Sequence, residues 1–309
     1  MSLPLREQAT LAAYRIGWSA VRRLPERAAY RLFDLIADLA WRRRGKGVRR
    51  LEANLARVRP LLDDEGLRGL SRAGMRSYLR YWCDSFRLPD WDEQRIIGSV
   101  RTIGDGPVRD SLAAGRGVVM FLGHLGNWDH AGAYSALRLA APTTVAERLR
   151  PEQLFDQFVA FREKLGMTIV PLGGNGVFRQ LMAVLRAGGF VPLLADRDLT
   201  DGGVEVSFFG EPARMAVGPA ALALQTGAAL HPVGIHYERR GKGWGIVITW
   251  HPEVPAPLRV SRGGAATRAA VGAMTQACAD VLAGDISRHP QDWHMLQRMF
   301  TADLPSVPR

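Results

Sequence analysis

Between Gly117 and Gly123 the chain carries five consecutive apolar residues, Val118-Val119-Met120-Phe121-Leu122. A short unbroken apolar run closed by glycine at both ends reads as a buried strand. The chain continues with Gly123-His124-Leu125-Gly126-Asn127-Trp128-Asp129, ahead of a helix expected over Ala131 to Leu139. Ligand sites in open α/β sheets lie at the carboxyl ends of strands, and His124 and Asp129, five residues apart across a glycine-containing turn, can converge there. A histidine so placed can take a proton from an attacking hydroxyl near neutral pH. A neighbouring carboxylate would fix its tautomer and stabilise the imidazolium that forms. The competing reading is a histidine that only hydrogen-bonds in a turn, with Asp129 capping the helix. Spacing alone leaves both open.

The rest of the chain sets the frame. With 309 residues, 47% hydrophobic and 23% charged, it is long enough for a substantial core. From about Val100 short apolar runs alternate with helical stretches. Strands are expected at Val118–Leu122, Thr143–Ala146, Met167–Pro171, Phe190–Ala195, His231–Tyr237 and Trp244–Trp250, the last two joined by a turn over Arg239 to Lys242. Helices are expected near Gln153–Leu165, Val177–Arg186 and 264–283. This alternation predicts an α/β fold, a mixed central sheet flanked by helices, within a single domain over 1–309 whose catalytic core spans 100–300.

Two cysteines, Cys83 and Cys278, give neither a disulfide framework nor a cysteine metal site and suit a reducing compartment. His124 and His130 lack a zinc spacing, so no metal and no cofactor is expected. Apolar runs of membrane-spanning length and a secretion signal are not seen, which points to a cytoplasmic location.

The net charge of +11 is concentrated at the start: residues 1–60 hold 14 Lys/Arg against 5 Asp/Glu. Two helices are expected there, over 6–23 and 26–44. Leu11, Tyr14, Trp18 and Val21 fall at helical spacing, as do Tyr30, Phe33, Ile36 or Ala37, and Trp41. Arginines 22, 23, 27, 31 and 42–44 edge them. Aromatics beside arginines suit amphipathic helices lying on an anionic membrane surface; core packing with a solvated basic side is the alternative. Motifs for nucleic-acid binding are not visible. A further aromatic stripe, Tyr78, Tyr81, Trp82 and Phe86, is assigned to the core with no chemistry.

Charged residues gather at other strand ends: Glu147-Arg148 and Asp196-Arg197-Asp198, with Arg162 on an intervening helix. The loop Gly173-Gly174-Asn175-Gly176 could offer amides to phosphate, but lacks the Lys-Ser/Thr of a P-loop and reads equally well as a tight turn.

The run Leu122-Gly123-His124-Leu125-Gly126-Asn127-Trp128-Asp129 resembles the His-x4-Asp/Glu block of bacterial acyltransferases of the lipid A lauroyl/myristoyl type. Further matches occur in the family's order: Ala195-Asp196-Arg197-Asp198, Val206-Ser207-Phe208-Phe209-Gly210, Val217-Gly218-Pro219-Ala220, and His289-Pro290-Gln291-Asp292-Trp293. Within that group the chain looks closest to actinobacterial phosphatidylinositol mannoside acyltransferases, through Val145-Ala146-Glu147-Arg148-Leu149 and the basic aromatic N-terminal helices.

This resemblance implies transfer of a long acyl chain, palmitoyl, from acyl-CoA as substrate to a phosphatidylinositol mannoside. The acceptor position would be the 6-hydroxyl of the mannose on inositol O2, and the enzyme would act as a peripheral protein on the cytoplasmic membrane face. It also implies an acyl tunnel and a groove for the glycolipid head. His124 would be the general base, without a covalent acyl-enzyme. The family pairs its histidine with a second acid, and Asp198 matches that position best, so Asp129 and Asp198 both stand as partners. Arg162 is the candidate for CoA phosphates or the oxyanion and Glu147 for sugar hydroxyls. Arg148, Arg197, Asn127 and Gly126 are expected to help bind substrate, with amides near Gly126 serving the tetrahedral intermediate.

Overall fold

The computed structural model of the chain describes residues 17–148, 152–174, 176–198, 202–241, 243–257 and 263–304. A helical stretch over 17–23 leads into α1 (Glu26–Arg43), α2 (Lys46–Val58) and α3 (Asp64–Arg87). Next come α4 (Glu93–Gly98), β1 (Val100–Ile103), α5 (Gly106–Ala113) and β2 (Val118–Leu122). The expected alternation then runs through α6 (Trp128–Arg138), β3 (Thr143–Ala146), α7 (Glu152–Lys164), β4 (Thr168–Pro171), α8 (Val177–Arg186) and β5 (Phe190–Leu194). A hairpin of β6 (Val204–Phe208) and β7 (Glu211–Met215) precedes α9 (Gly218–Thr226), β8 (Ala229–Arg240), β9 (Gly243–Trp250) and α10 (Gly264–Arg288).

The central sheet is mixed and five-stranded, in the order β1-β9-β8-β2-β5. β2 lies at its heart, parallel to β5 on one side and β8 on the other. β8 and β9 form the antiparallel hairpin. A second parallel pair, β3 and β4, continues past β5: Pro142 bridges Phe190, and the Thr144 hydroxyl donates to the Pro192 carbonyl at 2.6 Å.

β2 is buried along its whole length because both sheet faces are covered. Val119 and Phe121 pack with α9, α10 and the β6–β7 hairpin. Val118, Met120 and Leu122 pack on the other face with Ala131 and Tyr134 of α6 and Phe158 and Phe161 of α7. Each large apolar side chain so placed stabilises the fold by roughly 2 kcal/mol, which explains why this stretch alternates with nothing polar.

α3 is the strut between the N-terminal helices and the sheet. Its cap is Asp63, whose carboxylate accepts the Gly66 amide at 2.8 Å. Ser77, Tyr81 and Asp84 succeed one another at helical spacing and are all buried, so one face of α3 delivers polar groups to the interior.

Against α3 lies α1, and the contact corrects the expected membrane face. Phe33 is buried, the Tyr30 hydroxyl donates to Asp84 at 2.6 Å, and the Trp41 indole donates to Ser71 at 2.9 Å. Asp38 ion-pairs with Arg72 and Arg76. The aromatic side of α1 is therefore core. Its opposite side is the apolar one in solvent, with Leu32, Leu35, Ile36 and Leu39 between 41% and 67% exposed. Trp18 also turns inward and donates to the Phe86 carbonyl at 2.9 Å, while Leu11 and Tyr14 lie outside the described residues.

Candidate active site

Parallel pairing of β2 with β5 puts Leu122 opposite Leu194. Two residues further along each strand, His124 and Asp196 meet. The Asp196 carboxylate accepts the His124 backbone amide at 2.9 Å and sits 2.6 Å from its Nδ1. A carboxylate has no proton to give, so Nδ1 carries the hydrogen and Nε2 is left with its lone pair free to accept a proton. The Trp293 indole donates to the same carboxylate at 3.1 Å. Asp196 is fully buried. Burial alone would raise its carboxyl, but the His124 charge and the hydrogen bonds outweigh it and hold the group below the ordinary value.

The segment after α10 clamps the histidine loop from the far side. The Asp292 carbonyl accepts the Gly126 amide at 2.9 Å, and the His294 amide donates to the His124 carbonyl at 2.8 Å. Gly126 needs to be glycine: its φ is +55°, and a Cβ there would lie 2.8 Å from the Ile235 carbonyl oxygen. Its amide, expected to face an oxyanion, is spent on Asp292.

The acid at His124 is thus Asp196, where the sequence reading offered Asp129 and Asp198. Asp129 instead accepts from Arg162 Nε at 2.7 Å and from the Tyr81 hydroxyl at 2.8 Å. Asp129 is buried and Arg162 nearly so. Burial would lower the guanidinium, but Asp129 more than offsets it and raises it, so Arg162 stays charged and neutralised within the protein. Asp198 accepts the Gly203 amide at 2.8 Å and lies 3.5 Å from Arg214, at the entry to the β6–β7 hairpin.

Of the residues expected to bind substrate, Glu147, Arg162 and Arg197 line one cavity together with His124. Arg197 reaches Glu147 at 3.8 Å and donates to Gln297. Asn127 does not line the cavity: it is fully buried and caps α6, its side-chain Oδ1 accepting the His130 amide at 2.9 Å. Arg148 sits on the surface, paired with Glu152 at 3.5 Å and over the Phe155 ring. Leu149, the last residue of that matched segment, lies outside the described residues. His130 points away, edge-on to Trp91, and burial pushes it down to about 4. The glycine loop at 173–176 leads into α8 away from the cavity, with Asn175 outside the described residues.

The cavity has a volume of about 360 Å³, and His124 forms part of its wall. Met120 and Leu122 of β2, Thr144 of β3, Pro192 and Leu194 of β5, and Gly132 and Ser135 of α6 form its walls. These strands run in parallel toward His124 and α6 begins beside it, so the space extends back from the histidine between sheet and helix. Tyr78, Tyr81 and Trp82 close another side. The sequence reading gave that aromatic stripe no chemistry, because a helical period cannot distinguish a packed core from the wall of a cavity. Tyr81 stacks on Trp128 with ring centroids 4.0 Å apart, and Trp128 stands edge-on to His124 at 5.5 Å. Trp293 and His294 were also missed as site residues. Trp293 ends the block His289–Trp293 and His294 follows it, and the contact of this segment with the His124 loop is made only by the fold.

The model for bacterial lipid A biosynthesis acyltransferases matches residues 3–302. A phosphatidylinositol mannoside acyltransferase of Mycolicibacterium smegmatis is 43% identical over 306 residues, covering 98% of this chain and 95% of that protein. One from Mycobacterium tuberculosis is 45% identical over 300 residues, 96% of this chain and 90% of its own length. With a match running through the whole of the sheet, the histidine loop and the closing segment, the chain belongs to the bacterial lipid A biosynthesis acyltransferase family.

Proposed function

We propose that this protein transfers a long acyl chain, palmitoyl, from acyl-CoA to a phosphatidylinositol mannoside, at the 6-hydroxyl of the mannose on inositol O2. The observation that carries the reading is the His124–Asp196 pair, with His124 in the wall of a mainly apolar cavity. The acyl chain lies in the space between the sheet and α6, which brings the thioester carbonyl to His124. The acceptor hydroxyl gives its proton to Nε2 as its oxygen attacks that carbonyl. Asp196, already ionised and fixed on Nδ1, stabilises the imidazolium. Collapse of the tetrahedral intermediate breaks the carbon–sulfur bond, and the proton passes from Nε2 to the departing thiolate. Glu147 and Arg197, at the polar rim, receive the sugar head. No metal or cofactor enters this scheme.

The names of the relatives support the acceptor class, and the family match supports acyl transfer. Among the described residues no helix is long and apolar enough to cross a membrane. The exposed Leu32, Leu35, Ile36 and Leu39, between Arg27 and Arg31 at one end and Arg42 and Arg43 at the other, support a peripheral contact with an anionic bilayer. On this reading the contact is made at the cytoplasmic face.

The test is release of free CoA from palmitoyl-CoA, with and without phosphatidylinositol mannoside, by the wild type and His124→Ala. Acceptor-dependent release that the substitution abolishes is expected. Release only with a lipid A precursor or a lysophospholipid would move the acceptor assignment, and lipid binding without turnover would leave a non-catalytic binding protein.

A further inference from the structure

His294 lines the cavity beside His124, and the hydrogen bonds of its imidazole determine its protonation. Ser77 Oγ lies 2.5 Å from Asp292 Oδ1 and 2.9 Å from His294 Nε2. Asp292 Oδ2 accepts the Tyr237 amide at 2.9 Å. As a carboxylate Asp292 can only accept, so the single Ser77 hydrogen goes to it. Ser77 Oγ then has only lone pairs to offer His294, and Nε2 is the nitrogen that bears the hydrogen. Nδ1 is left as a bare acceptor. It is buried without a partner among the described residues, in a side chain belonging to a residue that is 5% exposed. Burial, with Arg80 and His124 nearby, pushes the ring down to about 3, in keeping with a neutral imidazole.

A buried acceptor with no donor is costly unless something supplies one. The His294 backbone amide is bonded to the His124 carbonyl, and both residues line the cavity. Tyr78 and Trp128 pack around the ring, with centroids 5.6 and 6.1 Å away, and hold its plane. We propose that His294 Nδ1 accepts a hydrogen bond from a second hydroxyl of a polyol acceptor, beside the hydroxyl that His124 deprotonates. His294 is then a specificity residue that favours sugars over simple alcohols, and Ser77 and Asp292 are positioning residues that hold its tautomer. The inference rests on the acyl-transfer reading of the His124 site.

Two measurements on the full chain test it. In steady-state kinetics with palmitoyl-CoA and phosphatidylinositol mannoside, His294→Phe is expected to raise the acceptor KM about threefold to tenfold and leave the KM for palmitoyl-CoA unchanged. His294→Asn, which keeps an acceptor oxygen near the Nδ1 position, recovers part of that loss. With an acceptor whose neighbouring hydroxyls are replaced by hydrogen, wild type and His294→Phe become equal. Unchanged discrimination between the two acceptors, or a loss confined to palmitoyl-CoA, overturns the proposal. Nitrogen-15 shifts of the wild-type ring give an independent reading, free of any folding defect in a variant. A neutral ring protonated at Nε2 is expected across about pH 6 to 8, and an Nδ1–H tautomer or an imidazolium in that range overturns it. If the wild type acylates no hydroxyl acceptor, the acyl-transfer reading falls and takes this role with it, whereas transfer with unaltered discrimination sinks the role alone.

Discussion

Asp196 accepts two hydrogen bonds from His124, one from its main chain and one from its ring. The first holds the loop where β2 ends, and the second sets the direction of the imidazole. One carboxylate therefore controls both the place and the tautomer of the imidazole. Asp196→Asn keeps the volume but can present its amide hydrogens to Nδ1, favouring the wrong tautomer. Its kcat is expected to fall by about 10²- to 10⁴-fold, with acceptor KM little changed. Asp198→Asn should leave kcat near wild type and lower the melting temperature slightly, because Asp198 serves the Gly203 turn. A larger kcat loss in Asp198→Asn than in Asp196→Asn would reverse the assignment.

Two buried carboxylates give opposite pH dependences. Asp84 accepts the hydroxyls of Tyr30 and Tyr237, yet burial dominates and raises it from 3.8 to about 6. The folded state therefore holds more protons than the unfolded state between those values, and stability falls as pH rises through that window. Asp196 is held below 3.8, so its contribution is complete above that value and is lost as pH falls through the lower folded one. Urea unfolding at a series of pH values, in wild type and Asp84→Asn, checks this. The decline between pH 4 and 6 should flatten in the variant, and an equal slope in both would assign it to another group.

Asp129 and Arg162 form a pair that depends on each other for burial. Removing one charge leaves the other in the interior, which costs about 3 kcal/mol. Asp129→Asn should show that loss in denaturant unfolding, together with reduced activity, since Asp129 holds Tyr81, which stacks on Trp128 beside His124. The double variant Asp129→Asn/Arg162→Met should regain part of the stability. If the two single losses simply add, the pair is not coupled as the 2.7 Å contact implies.

Local pattern carried the reading of the strand at Val118–Leu122, the glycine break and His124, because each leaves its mark within a dozen residues. The acid partner was not legible in the same way. His124 and Asp196 meet through the register of β2 on β5, a relation between segments 72 residues apart. Family likeness brought attention to Asp196-Arg197-Asp198 as a block and placed the weight two residues too far along. Trp293 and His294 approach from a third segment, through Gly126 and the His124 carbonyl. The face of α1 was misread for a different reason. Phe33 and Ala37 lie on one side and Leu32, Leu35, Ile36 and Leu39 on the other. A helix apolar on both sides has no periodicity that says which side the protein keeps.

That second side of α1 yields the last prediction. Leu35 is 67% exposed, and Leu32, Ile36 and Leu39 stand at the three- and four-residue spacing that makes one continuous stripe. Arg27, Arg31, Arg42 and Arg43 are exposed around it. Such a stripe with cationic ends gains from anionic lipid twice, by apolar burial and by surface potential, and salt weakens only the second. Leu35→Glu should lower binding to vesicles containing phosphatidylinositol at every salt concentration. Joint neutralisation of the four arginines to Gln should lower it at low salt and make it much less salt-dependent. Both variants should keep wild-type turnover on acceptor presented in detergent micelles, since α1 touches the cavity only through α3 and not at His124. Binding to neutral vesicles as tight as to anionic ones would remove the arginines from the account, and unimpaired binding by Leu35→Glu would remove this face altogether.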